Sequence, residues 1–449
     1  MFEIVRLVLK SPHAVPLGEA AAGHAAFTSA CFDAAVDHAP SLARRLGLSD
    51  AVAIGLGSMV GAGVFAAFSP AAAAAGTWLL AGLAVAAFVA YCNAVASAQL
   101  AAVYPQSGGT YVYGRERLGR WWGFAAGWAF VTGKTASCAA MALTFASYVA
   151  PGFERPIAAL AVVALTAVNY RGISKTARLT WVLLGLTLLS LCLVAGAGLG
   201  GGPVAPLTAG DADPYGVLQA AGLLFFAFAG YARVATLGEE VRDPARVIPR
   251  AIPLALGLAV AVYAVIGVSV LLALGPGRLA VSGAPLVETV EAAGWGWAGP
   301  AVRAGAAVAC LGALLGLIAG IGRTTLAMAR EGDLPRTLAA VHPVHRVPHH
   351  AEIALAVVVC ALLFVTDLRG VIGFSSFGVL LYYAIANAAA FTQPPGQRRW
   401  PRALNAAGLA GCLLLAFTLP VGSVVAGAAV IAAGAGGRLA AGAWRSSRR

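Results

Sequence analysis

Residues 54–68 read IGLGSMVGAGVFAAF, a run apolar enough for a membrane-spanning helix that nevertheless carries four glycines, at positions 55, 57, 61 and 63. Glycine in a helix interior costs roughly 1 kcal/mol relative to alanine, so the middle of this span is the weakest part of its helix. In hydrocarbon, unwound backbone survives only where it is buried in protein or lines a cavity. The sequence therefore predicts a helix interrupted near residues 61–63.

Such an interruption would expose the N-terminus of a second half-helix. Its free N–H groups and the positive end of its dipole attract a carboxylate. A different interpretation is close helix packing, because small residues spaced like Gly57 and Gly61 let two backbones approach. Composition alone leaves both interpretations open.

The composition of the whole chain indicates an integral membrane protein. Of 449 residues, 60% are hydrophobic and 11% are charged, and the mean hydropathy is +0.83, whereas soluble domains carry roughly 25% charged residues. The seven cysteines are odd in number and form no CxxC pair, which favours buried thiols over disulfides or metal ligands. We expect no metal and no cofactor.

Four histidines lie close together in a segment that also contains Pro and Arg: His342, His345, His349 and His350. We interpret this segment as a solvated cytoplasmic loop.

The apolar runs predict an all-α fold with about twelve transmembrane helices, since each span needs roughly 20 residues. Residues 1–50 are interpreted as a cytoplasmic N-terminal extension. The predicted spans are 51–75, 78–103, 121–149, 156–170, 179–199, 216–238, 251–275, 300–328, 352–367, 370–391, 403–419 and 421–441.

The positions of the basic residues support this topology. With the N-terminus inside, and with Arg303, Arg323 and Arg438 near span ends counted with the adjacent loops, 24 of the 30 Lys and Arg residues fall in cytoplasmic segments, 4 in outer loops and 2 deeper within spans. A bias of this size is typical of the positive-inside rule. We expect a multi-pass protein of the plasma (inner) membrane with both termini in the cytoplasm. The net charge of +12 then follows from topology and does not indicate nucleic acid as a partner.

A second interruption is predicted in the sixth span, where residues 222–241 read GLLFFAFAGYARVATLGEEV. Five spans separate it from the first, so the two interrupted helices have opposite orientations. Paired interruptions in inverted halves point to a transporter site near the midplane of the membrane. Carbonyls freed near residues 226–229 would accept an ammonium group, while the N–H groups of the first helix accept a carboxylate. Together they fit the backbone of an amino acid.

Several ordered motifs carry a family resemblance: GSMVGAGVF (57–65), YPQSGGTYVYGRERLG (104–119), NYRG (169–172), FFAFAGYARVATLGEEVRDPARVIPRAI (225–252) and GRTTLAMAREGDLPR (322–336). The chain resembles the amino acid–polyamine–organocation (APC) superfamily of amino acid permeases, near its cationic-amino-acid-transporter-like and bacterial branches. The resemblance implies a leucine-transporter-like fold. Two inverted five-helix repeats, residues 51–210 and 211–392, would be followed by two additional helices and a basic tail, residues 393–449.

The resemblance also implies a substrate site made largely of backbone. Matching the first motif puts Met59, Ala62 and Gly63 where the substrate carboxylate is held. Matching the sixth helix puts Phe226, Ala227 and Ala229 where the amine is held. The same stretches complete the predicted substrate-binding set with Ser58, Val60, Gly61, Phe228, Gly230 and Tyr231. Of these, Phe228 and Tyr231 are candidates for an aromatic gate, and ordinary helix packing is the open alternative.

Lys134 lies in the middle of the third span, and a charge there is a functional hypothesis because of its insertion cost. Thr132, Thr135 and Ser137 surround it in sequence and can solvate an amine. Relatives in the superfamily often carry a coupling lysine in the fifth helix, at the position of Thr187 here. We therefore take Lys134 and Thr187 as coupling candidates, with a structural amine as the alternative for Lys134. Burial disfavours a charged ammonium, so such a lysine can exchange a proton during a transport cycle.

No Asp or Glu lies well inside a predicted span, which disfavours a cationic substrate. The sequence thus favours proton-coupled uptake of a neutral amino acid by alternating access, with an anionic amino acid as a second possibility. An exchanger or exporter of the same fold and a non-transporting amino acid sensor stay open as alternatives. An enzyme is disfavoured because the spans lack catalytic side chains. The expected partners are the amino acid, the proton and the lipid bilayer.

Overall fold

The computed structural model describes residues 46–104, 108–172, 177–201, 213–235 and 240–446, and the predicted extension lies outside them except for residues 46–50. These residues form seventeen α-helices and four short 3-10 helices, with no β-strand among them. In chain order the helices are α1 (Leu48–Met59), α2 (Ala62–Ala66), α3 (Phe68–Ala75), α4 (Leu79–Val103), α5 (Thr110–Leu118), α6 (Arg120–Val149), α7 (Glu154–Tyr170), α8 (Ala177–Gly200), α9 (Pro214–Phe228), α10 (Ala232–Ala235), α11 (Pro244–Val281), α12 (Pro285–Ala292), α13 (Gly299–Arg330), α14 (His349–Val365), α15 (Leu368–Phe391), α16 (Arg402–Thr418) and α17 (Val421–Ser446).

Length and apolar composition make this a membrane protein. Eight helical segments of the described residues are long and apolar enough to cross a bilayer, and α9, α14 and α16 are shorter apolar helices. The prediction of an all-α integral membrane protein is confirmed. The count of twelve spans and the division into two inverted repeats stay predictions.

The first helix is interrupted where its glycines cluster. α1 ends at Met59, and α2 begins at Ala62. Between them, Val60 (φ −76°, ψ 60°) and Gly61 (φ −116°, ψ −140°) leave the helical conformation. Beyond α2, Ala67 keeps right-handed helical angles, so α2 and α3 continue one another. We call residues 60–61 the first break.

The sixth helix is interrupted as well. Its N-terminus is fixed by Asp213, whose carboxylate accepts hydrogen bonds from the N–H groups of Tyr215 and Gly216, each at 3.0 Å, as an N-cap residue does. α9 ends at Phe228 and α10 begins at Ala232. We call residues 229–231, which join them, the second break.

The two interrupted helices run antiparallel beside each other. α2, which follows the first break, packs on α9, which precedes the second break. α1, which precedes the first break, packs on α10, which follows the second. This antiparallel pairing brings the two breaks to the same level.

A rigid pair of helices stands beside the breaks. α6 packs against both α13 and α15. At its centre, a Cβ atom on Gly378 of α15 would lie 2.9 Å from the Cα atom of Gly133, so the two backbones touch, as small residues allow in membranes. The hydroxyls of Ser137 and Ser375 meet nearby at 2.6 Å. The middle of α6 is therefore held firmly against α15.

Polar contacts tie the connection between α4 and α6 to the end of α13. Arg115 of α5 pairs with Glu331 at 2.6 Å, and the Tyr111 hydroxyl donates to Asp333 at 2.9 Å. Asp333 also pairs with Arg438 of α17 at 3.0 Å. Burial and the neighbouring Asp333 carboxylate raise the pKa of Tyr111, so this hydroxyl keeps its proton and stays a donor.

Candidate functional site

The two breaks are in direct contact. A Cβ atom on Gly63, in the first turn of α2 directly after the first break, would lie 2.6 Å from the Cβ atom of Ala227. A Cβ atom on Gly230, within the second break, would lie 2.6 Å from the N atom of Met59. Each glycine is therefore required where it stands, because any side chain would push the two helices apart. The structure thus brings together the two stretches that the sequence predicts as the substrate site.

A tyrosine of α11 joins the two breaks. The Tyr263 hydroxyl lies 2.6 Å from the carbonyl oxygen of Met59 and 2.9 Å from that of Ala227. The side chain is 1% exposed. Since both carbonyls are acceptors and the hydroxyl has one hydrogen, the two breaks share a single donor.

Lys134 reaches the second break from α6. Its Nζ donates to the carbonyl oxygen of Ala229 at 3.0 Å, and the side chain is only 5% exposed. Ala229 follows the last residue of α9, where helical carbonyls have no partner within the helix. The coupling candidate and the predicted amine position are therefore in direct contact.

The hydroxyls near Lys134 in sequence do not solvate its amine. At 100° per residue, Thr132 lies about 160° and Thr135 about 100° around α6 from Lys134. Their hydroxyls donate to carbonyls of their own helix, at 2.8 and 2.7 Å. The expectation that they surround the ammonium is wrong, because helical geometry separates side chains that are adjacent in sequence.

Each of the carbonyls predicted to hold the substrate amine has a donor in the protein. The Phe226 carbonyl accepts from the Ala229 N–H at 3.4 Å, the Ala227 carbonyl lies beside the Tyr263 hydroxyl, and the Ala229 carbonyl accepts from Lys134. The sequence analysis expects these oxygens to be free. The Ala227 and Ala229 oxygens are not free because α11 and α6, which sequence spacing does not relate to α9, supply their donors.

The first break offers the opposite chemistry. Ala62, Gly63 and Val64 form the first turn of α2, so their N–H groups have no carbonyl four residues earlier within that helix. All three residues are buried. Such donors, at the positive end of a helix, suit a carboxylate.

The aromatic gate candidates are packed in the core. The Phe228 ring lies 5.0 Å from that of Tyr263, and the Tyr231 ring stacks on Tyr383 at 4.9 Å. All four side chains are buried. These contacts are those of helix packing, and a gating role stays a prediction.

A family model described as "Amino acid permease" matches residues 46–434, which include both breaks, Lys134 and Tyr263. The chain belongs to the amino acid permease family. An uncharacterized transporter of Mycobacterium tuberculosis is 62% identical over 396 residues, covering 88% of this chain and 90% of its own. The branched-chain amino acid permease BcaP of Bacillus subtilis is 26% identical over 406 residues, covering 84% and 86%. Cationic amino acid transporter 7 of Arabidopsis thaliana is 27% identical over 381 residues, covering 78% and 65%.

The resemblance stated from the motifs is thereby confirmed, and transport is the activity of this family. The second coupling candidate is Thr187, whose hydroxyl bonds within its own helix and not to a break. The Thr187 hydroxyl donates to the Leu183 carbonyl of its own helix at 2.8 Å. Its role stays a prediction, with no contact to Lys134 among the hydrogen bonds of the described residues.

Tyr263 and Tyr148 are site residues that the sequence analysis does not single out. Tyr263 carries the only polar side-chain atom in residues 251–268, a signal that was available in the sequence. Tyr148 of α6 donates to the Phe65 carbonyl at 2.9 Å and accepts from the Leu286 N–H at 3.3 Å. It thus ties α2 to α12.

Glu352 is a third residue whose position the sequence does not reveal. It lies near the start of α14 and is buried, although the sequence places it next to the histidine loop. A Cβ atom on Gly322 would lie 3.1 Å from its Cγ atom. This carboxylate therefore belongs to the contact between α13 and α14.

Three histidines of the loop from α13 into the start of α14, His342, His345 and His349, gather around Tyr170, the last residue of α7. The His342 and His345 rings are 4.7 Å apart, and the Tyr170 ring lies 5.2 Å from His342. The Nδ1 atom of His342 accepts from the N–H groups of Val344 and His345 at 3.3 and 3.2 Å. No group of His, Cys, Asp and Glu in the described residues is arranged to hold a metal ion. The contacts of this cluster stabilise the conformation of the loop.

The permease also has a cavity of about 790 Å³ between α6, α13, α14, α15 and α17. Thr132 and Thr135 line it, whereas none of the twelve predicted substrate-binding residues does. Lys134 is not among the residues that line this cavity. The cavity is therefore distinct from the site at the breaks.

Proposed function

We propose that this permease is a secondary active transporter that moves an amino acid by alternating access, with the amino acid backbone held between the two breaks. The observation that supports this proposal is the contact between them. N–H groups of the first turn of α2 lie beside the first break, and helix-end carbonyls lie at the second. A zwitterion has a carboxylate for the first and an ammonium for the second.

The proposed substrate is a neutral amino acid. Apolar and aromatic residues form the surroundings of the breaks, among them Phe226, Phe228 and Met59. Residues 54–68 and 222–235, which contain the two breaks, include no Asp or Glu, so these segments offer no counter-ion to a cationic side chain. BcaP, a relative over most of the chain, is named for branched-chain amino acids, which fits an apolar side chain.

The proposed coupling ion is the proton, and the proposed coupling group is Lys134. This side chain is buried and contacts the second break directly. A change in its charge therefore changes a contact that the substrate also needs. We place the transporter in the plasma membrane with both termini in the cytoplasm, and we keep the two inverted repeats, residues 51–210 and 211–392, as part of the proposal.

The test begins with binding. A thermal-shift screen of the purified protein against the twenty amino acids should give stabilisation by neutral, apolar ones. Proteoliposomes should then take up radiolabelled L-leucine when a pH gradient is imposed. Absence of any shift with all twenty amino acids, together with absence of flux, would remove the proposal. Binding without flux under any gradient would favour the sensor.

A second candidate is an exchanger or exporter of the same fold, which the contact between Lys134 and Ala229 favours. A protein ammonium at the amine position must be accommodated when the substrate arrives, and exchange of one cation for another does this. Counterflow separates the two candidates. Leucine entry that requires amino acid inside the vesicles supports exchange, and entry into empty vesicles supports uptake.

A further inference from the structure

The Lys134 ammonium occupies the position that the proposed function gives to the substrate ammonium. The Nζ atom lies 3.0 Å from the Ala229 carbonyl oxygen, which is a full-strength N–H···O distance. Ala229 is the C-cap residue of α9 and the first residue of the second break. The contact is thus made to one of the backbone oxygens that an amino acid would use.

The other two carbonyls of this position do not offer a free alternative. The Ala227 oxygen lies 2.9 Å from the Tyr263 hydroxyl, and the Phe226 oxygen accepts from the Ala229 N–H. A substrate ammonium has three N–H groups to place. Each of these oxygens keeps a second lone pair, but at the Ala229 oxygen a substrate ammonium would meet the Lys134 ammonium.

No carboxylate among the described residues compensates the Lys134 charge. The titratable group that interacts with it is the thiol of Cys138, one turn along α6. Of the elements packed on α6, α15 carries the phenols of Tyr382 and Tyr383, and α14 carries Glu352, which lies beside Gly322 and interacts with Arg323. Two ammonium groups at one oxygen would therefore repel each other without a counter-ion.

Lys134 cannot withdraw by moving its helix. Its neighbour Gly133 is in backbone contact with Gly378 of α15, and the bond between Ser137 and Ser375 holds the next turn. The remaining ways to make room are to swing the side chain away and to lose its charge. In a buried site the neutral amine is the form that burial favours.

We infer that Lys134 is a tethered competitor for the substrate amine, so that binding of an amino acid at Ala229 expels one proton from Lys134. In this step one N–H bond of the ammonium breaks and its electron pair stays on Nζ. The proton passes to water on the side of the membrane to which the site is then open. This inference rests on the proposed function. Proton and substrate then exclude each other, so coupling takes the form of exchange: the protein carries the amino acid on one leg of the cycle and the proton on the return.

A matched set of three ligands tests this directly. L-leucine has both charged ends, 4-methylpentanoate lacks the amine, and 3-methylbutylamine lacks the carboxylate. Should the thermal-shift screen select a different amino acid, the set becomes that amino acid, its deamino acid and its decarboxylated amine. Calorimetric titration in buffers of different ionisation enthalpy counts the protons released on binding.

For the unmodified protein we expect release of close to one proton per leucine and none per 4-methylpentanoate. The affinity for leucine should rise about tenfold per pH unit between about pH 6 and 8, as linkage of one proton requires. Leucine binding without proton release and without pH dependence would overturn the inference and the coupling role of Lys134, and would leave amino acid binding between the two breaks intact. Failure of every amino acid to bind would remove both.

Two variants sharpen the test. Lys134→Met removes the charge at similar length, so leucine should bind at least tenfold more tightly at pH 6 and release no proton. Lys134→Arg carries a charge that cannot be lost, so leucine binding should disappear. Binding of 4-methylpentanoate by Lys134→Arg shows that the variant is folded. Leucine binding by Lys134→Arg at the affinity of the unmodified protein would contradict the inference.

Discussion

The first and second breaks are alike in position and opposite in what they leave available. At the first break, the N–H groups of Ala62 and Gly63 begin a half-helix and have no partner within it. At the second, the carbonyls of Ala227 and Ala229 already lie at hydrogen-bond distance from Tyr263 and Lys134. One end of a bound amino acid would therefore meet open donors, while the other end would meet acceptors in use.

This difference assigns different tasks to the two halves of the site. The first break can supply affinity, because a carboxylate gains contacts there without displacing a protein group. The second break can supply coupling, because an ammonium binds there only by changing what Tyr263 or Lys134 does. A transporter needs both properties, and a site with two open ends would bind its substrate without linking it to another ion.

The largest effect should come from adding a methyl group where the breaks touch. In Gly63→Ala the new Cβ meets Ala227, and in Gly230→Ala it meets the backbone of Ser58 and Met59. Overpacking of this kind costs about 1–3 kcal/mol, which corresponds to about 5- to 150-fold in affinity. We expect leucine affinity to decrease by a factor in that range and leucine flux to decrease with it, or both to be lost.

Gly257→Ala is the matched control, because a Cβ atom there meets nothing within 4 Å. It should transport normally. Equal activity of Gly63→Ala and Gly257→Ala would mean that the breaks tolerate separation and are not the binding site.

The next largest effect should come from Tyr263→Phe. This change leaves the Met59 and Ala227 carbonyls buried without their shared hydroxyl. A buried acceptor without a donor costs about 1–3 kcal/mol in the empty protein, and a bound ammonium would satisfy the Ala227 oxygen, so leucine should bind about tenfold more tightly. Tyr91→Phe, at an exposed tyrosine of α4, serves as the control in the same binding assay. Unchanged affinity of Tyr263→Phe would separate α11 from the site.

A smaller effect is expected from Ser137→Ala, which removes the hydroxyl contact to Ser375 one turn from Lys134. Hydrogen bonds between membrane helices contribute about 0.6 kcal/mol on average, so leucine affinity should change by less than about threefold. The number of protons released should stay the same as in the unmodified protein. A larger change would show that this contact, and not the lysine charge alone, determines how tightly leucine binds at the second break.

The smallest effect on transport is expected from His342→Gln. Removal from water and the neighbouring His345 and His349 lower the pKa of His342, so the folded loop favours its neutral form. The folded loop therefore keeps its full stability above the ordinary pKa of histidine, near 6.5, and loses it as the pH falls towards the lowered value. Protonation of Nδ1 would remove the acceptor used by the Val344 and His345 N–H groups.

Hydrogen exchange of the loop, corrected for the intrinsic rate at each pH, should rise on acidification in the unmodified protein. In His342→Gln that dependence on pH should disappear. The pH profile of leucine binding should be the same in both proteins, because the loop is remote in sequence and contact from Lys134. A changed profile would assign the pH dependence to the histidines.

The sequence predicts the backbone features of this molecule better than its side-chain contacts. Glycines at positions 57, 61 and 63, and Gly230 between aromatic residues, weaken their helices locally, and the helices end at Met59 and Phe228. Such local weakness is visible in sequence. The partners of the freed carbonyls come instead from α6 and α11, which no sequence spacing relates to the breaks. Tyr263 was therefore overlooked, although it is an isolated polar side chain in an apolar helix.

Lys134 shows both sides of this limit. A lone charge in an apolar span is a strong signal, and it supports a functional hypothesis for this residue. Its partner was predicted wrongly as the hydroxyls of Thr132 and Thr135, because neighbours in sequence point to different sides of a helix. The structure directs Lys134 to Ala229 instead.

The hydroxyl of Tyr263 has one hydrogen for two helices. If those helices move apart, the hydroxyl can stay bonded to only one of the two carbonyls. The other carbonyl oxygen must then accept a hydrogen bond from water or from the substrate. An empty cavity opened between them in a dry interior is thus unfavourable, whereas a wetted or loaded one is not. The Tyr263 hydroxyl would therefore raise the free energy of a conformational change without bound substrate, which limits futile cycling.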